Sequence, residues 1–247
     1  VIAPFTQRPI TFSELLQAEA AITKHYIEKG YINSGAVILA GQALQQQGAV
    51  VKIQVIEGGV EEIQISGMKH LNTNYVRSRL KLATATPLNQ KRLLQAMQVL
   101  QLDPLIQSIS GDLSAGSRPD LGVLTVRVKE AKSFKTEFFA DNNRPPSVGS
   151  FRRGLRVSEG NVLGFGDRFA LEYANTTGSN AVNMSYTIPV NARNGTISLS
   201  GGFSFTNVIE KPFDVLDITG DSYSVDLSFQ QPIIQTANQT FSIGVTA

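Results

Sequence analysis

"GLRVSEGNVLGFGDRFALEYANTTG", residues 154–178, is the stretch that decides the fold. Two alternating segments flank the glycine-rich run Gly160-Asn-Val-Leu-Gly-Phe-Gly-Asp167. Before it, Leu155 and Val157 alternate with Gly154, Arg156 and Ser158. After it, Phe169, Leu171 and Tyr173 alternate with Arg168, Ala170 and Glu172. Period two means β-strands, because successive side chains point to opposite faces. One face is apolar and the other carries Arg and Glu, so the two faces meet different solvents.

The same period holds outward in both directions. Upstream, Phe134, Thr136, Phe138 and Ala140 oppose Lys135, Glu137, Phe139 and Asp141. Downstream, Val182, Met184, Tyr186 and Ile188 alternate with Asn183, Ser185 and Thr187. Ile197, Leu199, Phe203 and Phe205 follow, then Tyr223, Val225, Leu227 and Phe229, and last Phe241, Ile243 and Val245. Their alternate positions are Ser, Thr, Gly and Asp226. Seven strands in succession are predicted. A soluble sandwich would use strands of about five or six residues, whereas these approach the roughly 9–11 residues that a tilted strand needs to cross a bilayer. Connections rich in polar residues or long ("NNRPPSVGS", "NTTGSN", "TNVIEKPFDVLDITGD") alternate with "EGNVLGFGD", "NARNG" and "PIIQTANQ". Longer loops on one side and shorter ones on the other is the pattern of an outer-membrane barrel. The expected environment is therefore lipid on the apolar face and water on the polar one, and residues 133–247 are expected to be the first seven strands of a transmembrane barrel.

Before Ser133 the pattern is mixed. Thr11 and Glu14 fit a capping box. Phe12, Leu15, Leu16, Ile22, Tyr26 and Ile27 follow near helical spacing, and Gly30 is a stop. Strands are expected at 36–40 and 50–56. A second unit spans 60–132: a strand at 60–67, helices at 73–82 and 88–100, and strands at 105–115 and 121–131 joined by "GSRPD". That order is β-α-α-β-β, and residues 1–59 show its last three elements, α-β-β. In the second helix of the unit, Leu93, Leu94, Met97 and Leu100 form the stripe expected to pack in the core.

Composition narrows the function classes. Charged residues are 17% of the 247, with a net charge of +2. That balance is too weak to point to nucleic acid. The absence of Cys removes disulfides, thiolate metal sites and thiol catalysis. No apolar run is long enough for a membrane-spanning helix. The start, "VIAPF", lacks a leader's basic and apolar regions and reads as a processed or truncated end. His25 and His70 fall in different units, so no metal site is expected. "GFGDRF" lacks a third glycine and a βα context, so it reads as a tight turn and not as a nucleotide site. No nucleophile–base grouping or carboxylate pair suggests an enzyme, and no cofactor is expected.

The ordered combination resembles the outer-membrane transporters of two-partner secretion, the haemolysin-activator type, within the superfamily that contains the BamA insertase. "ITFSELLQAEAAITKHYIEKGYINSGAVIL" with "VVKIQVIEGGVEEIQISG" is similar to one periplasmic POTRA domain running into the next. "SGDLSAGSRPDLGVLTVRVKEAKSF" is similar to the end of the second POTRA domain and its junction with the barrel. "GLRVSEGNVLGFGDRFALEY" is similar to the hairpin after it. The resemblance implies α+β POTRA domains followed by an incomplete barrel, since such barrels have sixteen strands and an inward-folded loop not seen here. It also implies a secreted exoprotein partner in extended form, contact with outer-membrane lipid, and POTRA domains in the periplasm. Capture would proceed by strand addition at a sheet edge. Ile106, Ser108, Ile109 and Ser110 on the "LIQSISGDL" strand, with Tyr75 and Arg79, are the expected contacts. Lys135, Glu137, Arg152, Arg156, Arg168, Glu172 and Asp226 share the polar face and are expected in the pore lumen, either as a salt-bridge lattice or as a wall touching the passing chain. Two other readings stay open: a BamA-like insertase, and a β-rich surface or periplasmic binding protein without a channel.

Overall fold

The capping box forms as the sequence predicts. Thr11 Oγ1 accepts the Glu14 amide, and Glu14 Oε2 accepts the Thr11 amide at 2.8 Å. The Arg8 guanidinium, with Thr11, holds the Glu14 carboxyl down at about 2. Helix α1 (Phe12–Glu28) starts there. It ends in a Schellman motif, with the Gly30 and Tyr31 amides returning to the Ile27 and Tyr26 carbonyls. Only Leu15 and Ala18 of α1 are buried, while Phe12, Leu16 and Ile27 are exposed among the described residues. The computed structural model of the chain describes residues 1–42 and 50–247.

Strands β1 (Gly35–Ile38) and β2 (Ile53–Ile56) form an antiparallel pair, Gly35 opposite Ile56 and Ile38 opposite Ile53. β2 is shorter than the expected 50–56. Then come β3 (Gly59–Ser66), α2 (Thr73–Ala83), α3 (Gln90–Gln101), β4 (Ile106–Ala115) and β5 (Leu121–Glu130). β3 runs parallel to β5, and the long connection that parallel pairing requires passes through α2, α3 and β4. The sheet order is β3-β5-β4, which leaves β3 and β4 as edges. Helix α3 starts two residues later than expected because Asn89 is its cap: its Oδ1 accepts the Lys91 and Arg92 amides. Val76, Leu80, Leu88 and Val126 are fully buried, and Leu93 and Leu100 join them. Leu94, expected in that core, is instead 53% exposed. It sits one residue past Leu93, about 100° around the helix, which turns it off the buried stripe.

The large sheet is an antiparallel meander of β6 (Phe134–Asp141), β7 (Arg152–Glu159), β8 (Arg168–Asn175), β9 (Ser179–Pro189), β10 (Thr196–Asn207), β11 (Thr219–Gln235) and β12 (Thr240–Thr246). All seven predicted strands form, in sequence order. β11 runs further than expected and takes in Pro232–Gln235, with a bulge between Pro232 and Ile234 opposite β12. The connections are less regular than the barrel pattern suggests. Residues 176–178 make a tight turn on the side of the long loops, while 160–167 is a sizeable loop on the other side. The chain divides into two units, residues 1–67, 76–101 and 109–128 in one, and 68–75, 102–108 and 129–247 in the other.

The glycine-rich run explains itself within the second unit. Asn161 Oδ1 accepts the Gly166 amide, and buried Asp167 accepts the Leu163 amide and the Tyr186 hydroxyl. The Asn72 amide donates to the Gly164 carbonyl at 2.7 Å. Gly166 lies against the Tyr75 ring at φ +79°, and a Cβ there would overlap that ring. The loop is long because it is a docking surface for residues 68–75 and not a bare turn.

Candidate functional site

Register puts all seven expected lumen residues on one face of the large sheet. Cross-strand partners in an antiparallel pair point the same way. Lys135 faces Ser158, Glu137 faces Arg156, and Asp141 faces Arg152 across β6 and β7. Arg156 faces Glu172 on β8, Arg168 faces Thr187 on β9, and Asp226 on β11 faces Ser200 on β10. The other face carries Phe138, Leu155, Leu171, Met184, Leu199, Val225 and their neighbours.

Four of the seven, Glu137, Arg152, Arg156 and Glu172, join Asp141 in an ion-pair lattice over β6–β8. Arg152 donates to Asp141 Oδ2 through Nε at 3.0 Å and Nη2 at 2.7 Å. Arg156 bridges three strands, bonding Glu172 through Nε at 2.8 Å and reaching Glu137 at 3.5 Å. Phe139, the apolar residue on this face, lies over Gly154, where any Cβ would collide with its ring. The Arg152 guanidinium sits 5.2 Å above that ring, a cation–π contact. Lys135 and Arg168 lie outside the lattice. They line a cavity of about 210 Å³ with Lys132, Ser133, Ser158, Gly160, Pro104 and Leu105. Asp226 has no ion pair among the described residues.

The expected exoprotein contacts do not converge on one place. Ile106 is buried, and Ser108 and Ser110 are exposed on β4. Tyr75 is occupied: its hydroxyl donates to Asp103 Oδ2 at 2.6 Å and its ring covers Gly166. Arg79 is half-buried on α2. Ile109 is half-buried beside an apolar groove of about 540 Å³ between α3 and β4, lined also by Leu93, Leu94, Met97 and Leu113. Its amide donates to Gln101 Oε1 at 3.0 Å. A side chain thus stands where an added strand would bond. Gln101 was not foreseen; an amide side chain at the end of a helix carries no pattern that separates it from a solvated residue.

Glu130 was also missed. Its carboxylate accepts the backbone amides of Lys69, His70 and Leu71, and His70 Nδ1 lies 3.2 Å from it. Burial acts to raise its pKa, but the Leu71, Lys69 and His70 amides outweigh this and hold the carboxyl below its usual range. A Glu ending an alternating strand was the only hint.

The seven-stranded sheet and the β-α-α-β-β unit set the chain beside known proteins. A model described as haemolysin secretion/activation protein ShlB/FhaC/HecB matches residues 122–247, more than half of the chain. The chain belongs to this family. A second model, POTRA domain, ShlB-type, matches residues 1–58. The heme/hemopexin transporter protein HuxB of Haemophilus influenzae is 25% identical over the whole chain. The chain spans 43% of that protein's length. Among solved structures, CdiB from Escherichia coli is similar over 99% of this chain and 46% of its own, with a TM-score of 0.69 and 19% identity. BamA from Haemophilus ducreyi lacking POTRA domains 1–3 is similar over 97% and 45%, at 0.62 and 15%. These two likenesses concern the fold: POTRA architecture followed by barrel strands.

Proposed function

We propose that this chain is part of a protein-translocating outer-membrane transporter of two-partner secretion. POTRA domains in the periplasm capture an exoprotein in extended form, and the barrel passes it outward. The observation that carries this reading is the two-solvent sheet. Phe138 is 80%, Tyr223 76% and Val225 77% exposed, in a row of apolar side chains covering one face. Among the described residues no second sheet covers that face. An apolar surface of that extent on a water-soluble protein would aggregate or bind a partner; lipid satisfies all of it at once. The opposite face is charged, hydroxylated and ion-paired, as a water-filled lumen permits. The same observation disfavours a channel-free binding protein, whose apolar face would meet a second sheet. The likeness to BamA is one of fold and does not favour an insertase.

The reading needs no nucleotide, cofactor, metal or catalytic residue: export is driven by capture on one side and folding on the other. Capture is assigned to the β4 edge, where the groove beside Ile109 would take alternate side chains of an added strand. The test is secretion by cells making the full-length protein together with its exoprotein. Leu199→Arg should lower the amount of inserted barrel and with it release into the medium, and Ser200→Arg should preserve both. Normal secretion by a Leu199→Arg protein present at wild-type level would overturn the reading.

A further inference from the structure

The cavity at one end of the polar face is unlike the rest of that face. Arg152 and Arg156 spend their charge on Asp141, Glu137 and Glu172. Lys132, Lys135 and Arg168 line a single cavity and have no ion pair or side-chain hydrogen bond among the described residues. The cavity is built, not incidental. Leu105 is buried and packs on Gly160, whose amide donates to the Ser133 carbonyl at 3.1 Å. The Leu105 carbonyl accepts the Ala131 amide at 2.9 Å, which fixes the segment that presents Lys132. All three cations are exposed and solvated, and with no carboxylate of the chain taking up their charge, the cavity offers a positive potential to an incoming anion. The volume of about 210 Å³ equals roughly seven waters. That suits a carboxylate on a short stem and excludes a folded domain.

We propose that this cavity is a subsite for Asp and Glu side chains of the exported polypeptide. The proposal rests on the sheet being the wall of a protein-conducting pore. Lys135, Ser158 and Arg168 all lie on the polar face, opposite the row that meets acyl chains. A lipid phosphate would come from the apolar side; a carboxylate on an extended chain in the lumen comes from this one. The subsite favours acidic segments, and the ion-paired stretch beyond it, already neutralised, lets them go.

The probe is a fluorescent, extended Ser/Thr-rich peptide carrying an Asp pair, compared with its Asn counterpart. Binding is read by anisotropy on the full-length protein in zwitterionic nanodiscs at low salt. The Asp peptide should bind about three- to tenfold tighter, the range for a few half-exposed ion pairs. Lys135→Gln with Arg168→Gln should remove that preference, Lys135→Arg should keep it, and high salt should erase it. Heat-modifiable mobility on gels confirms that each variant has a folded barrel. Equal binding of both peptides by the wild type, or a preference that survives in the double variant, overturns the subsite and leaves the pore reading standing. Loss of the preference in anionic nanodiscs alone also overturns it, by assigning the cavity to a lipid headgroup. If neither peptide binds the wild type, the subsite falls too, while the pore reading is decided separately by the secretion assay.

Discussion

Arginine placed on either side of one strand tests which face meets lipid. Leu199 and Ser200 are neighbours on β10, so local backbone, register and distance from the loops are shared. Leu199 faces Tyr186 and Leu227; Ser200 faces Ser185 and Asp226. β10 spans Thr196–Asn207, and Leu199 lies between two and three residues from its midpoint. At about 3.3 Å per residue and a tilt near 45°, that is roughly 6 Å from the bilayer midplane. The apolar band is about 25 Å tall, so Leu199 sits about half-way from the midplane to the interface. Arg costs roughly 2–4 kcal/mol at the midplane and about 0–1 at the interface, so Leu199→Arg should cost about 1–3 kcal/mol. Ser200→Arg enters water beside Asp226 and should stay within about 0.5 kcal/mol, as surface changes usually do. The assay is a urea titration of the full-length barrel folding into liposomes. Equal costs for the two variants, or a larger one for Ser200→Arg, would reverse the face assignment.

Other predictions follow from single contacts. Gly166→Ala forces a Cβ into the Tyr75 ring and should loosen residues 68–75; overpacking of this kind typically costs about 1–3 kcal/mol. Unchanged amide exchange in that segment would contradict it. Glu130 has a depressed pKa, so its stabilisation is full above the unfolded value of about 4.3 and fades as pH falls through the lower folded value. Normalised exchange at Lys69, His70 and Leu71 should therefore quicken on acidification and not on alkalinisation, and Glu130→Gln should abolish this acid limb. Residues 60–132, proposed as a domain, should be soluble when expressed alone, whereas 133–247 should not; an unfolded circular-dichroism spectrum for the first would move the boundary. If the β4 edge captures an extended segment, Gln101→Ala should free the Ile109 amide and strengthen binding of the exoprotein's amino-terminal peptide by about 1 kcal/mol. Weaker binding by a folded Gln101→Ala protein would place capture elsewhere.

The strands and helices were legible because each is a periodic statement. Phe169, Leu171 and Tyr173 say "strand with one apolar face" without reference to anything distant, and register then aligned Arg156 with Glu172 as the charge pattern required. What stayed hidden depends on contacts between segments far apart in sequence. Glu130 reads as an ordinary solvated carboxylate until the chain brings Lys69, His70 and Leu71 to it across some 60 residues. Leu94 looked like core because a stripe pattern cannot tell its centre from its margin. Tyr75, expected to contact the exoprotein, is an ambiguous aromatic on a short helix in the sequence; its partners, Asp103 and Gly166, lie on two other segments.

The charged face separates two roles that its sequence could not. Arg152 and Arg156 on β7 and Arg168 on β8 share the polar face, and in the sequence pattern all three look alike. Their carboxylate neighbours distinguish them. Asp141 and Glu172 stand directly across from Arg152 and Arg156, whereas Thr187 stands across from Arg168. A paired guanidinium between strands resists shear in a sheet whose hydrogen bonds alone allow register slip. An unpaired one is available to whatever passes. Arg156→Gln should lower barrel stability, since it leaves Glu137 and Glu172 uncompensated on either side of β7, with little effect on selectivity for acidic peptides. Arg168→Gln should do the reverse. Denaturation midpoints and peptide selectivity measured on the same two variants decide it: parallel losses in both would mean that the lattice and the cavity are one electrostatic unit.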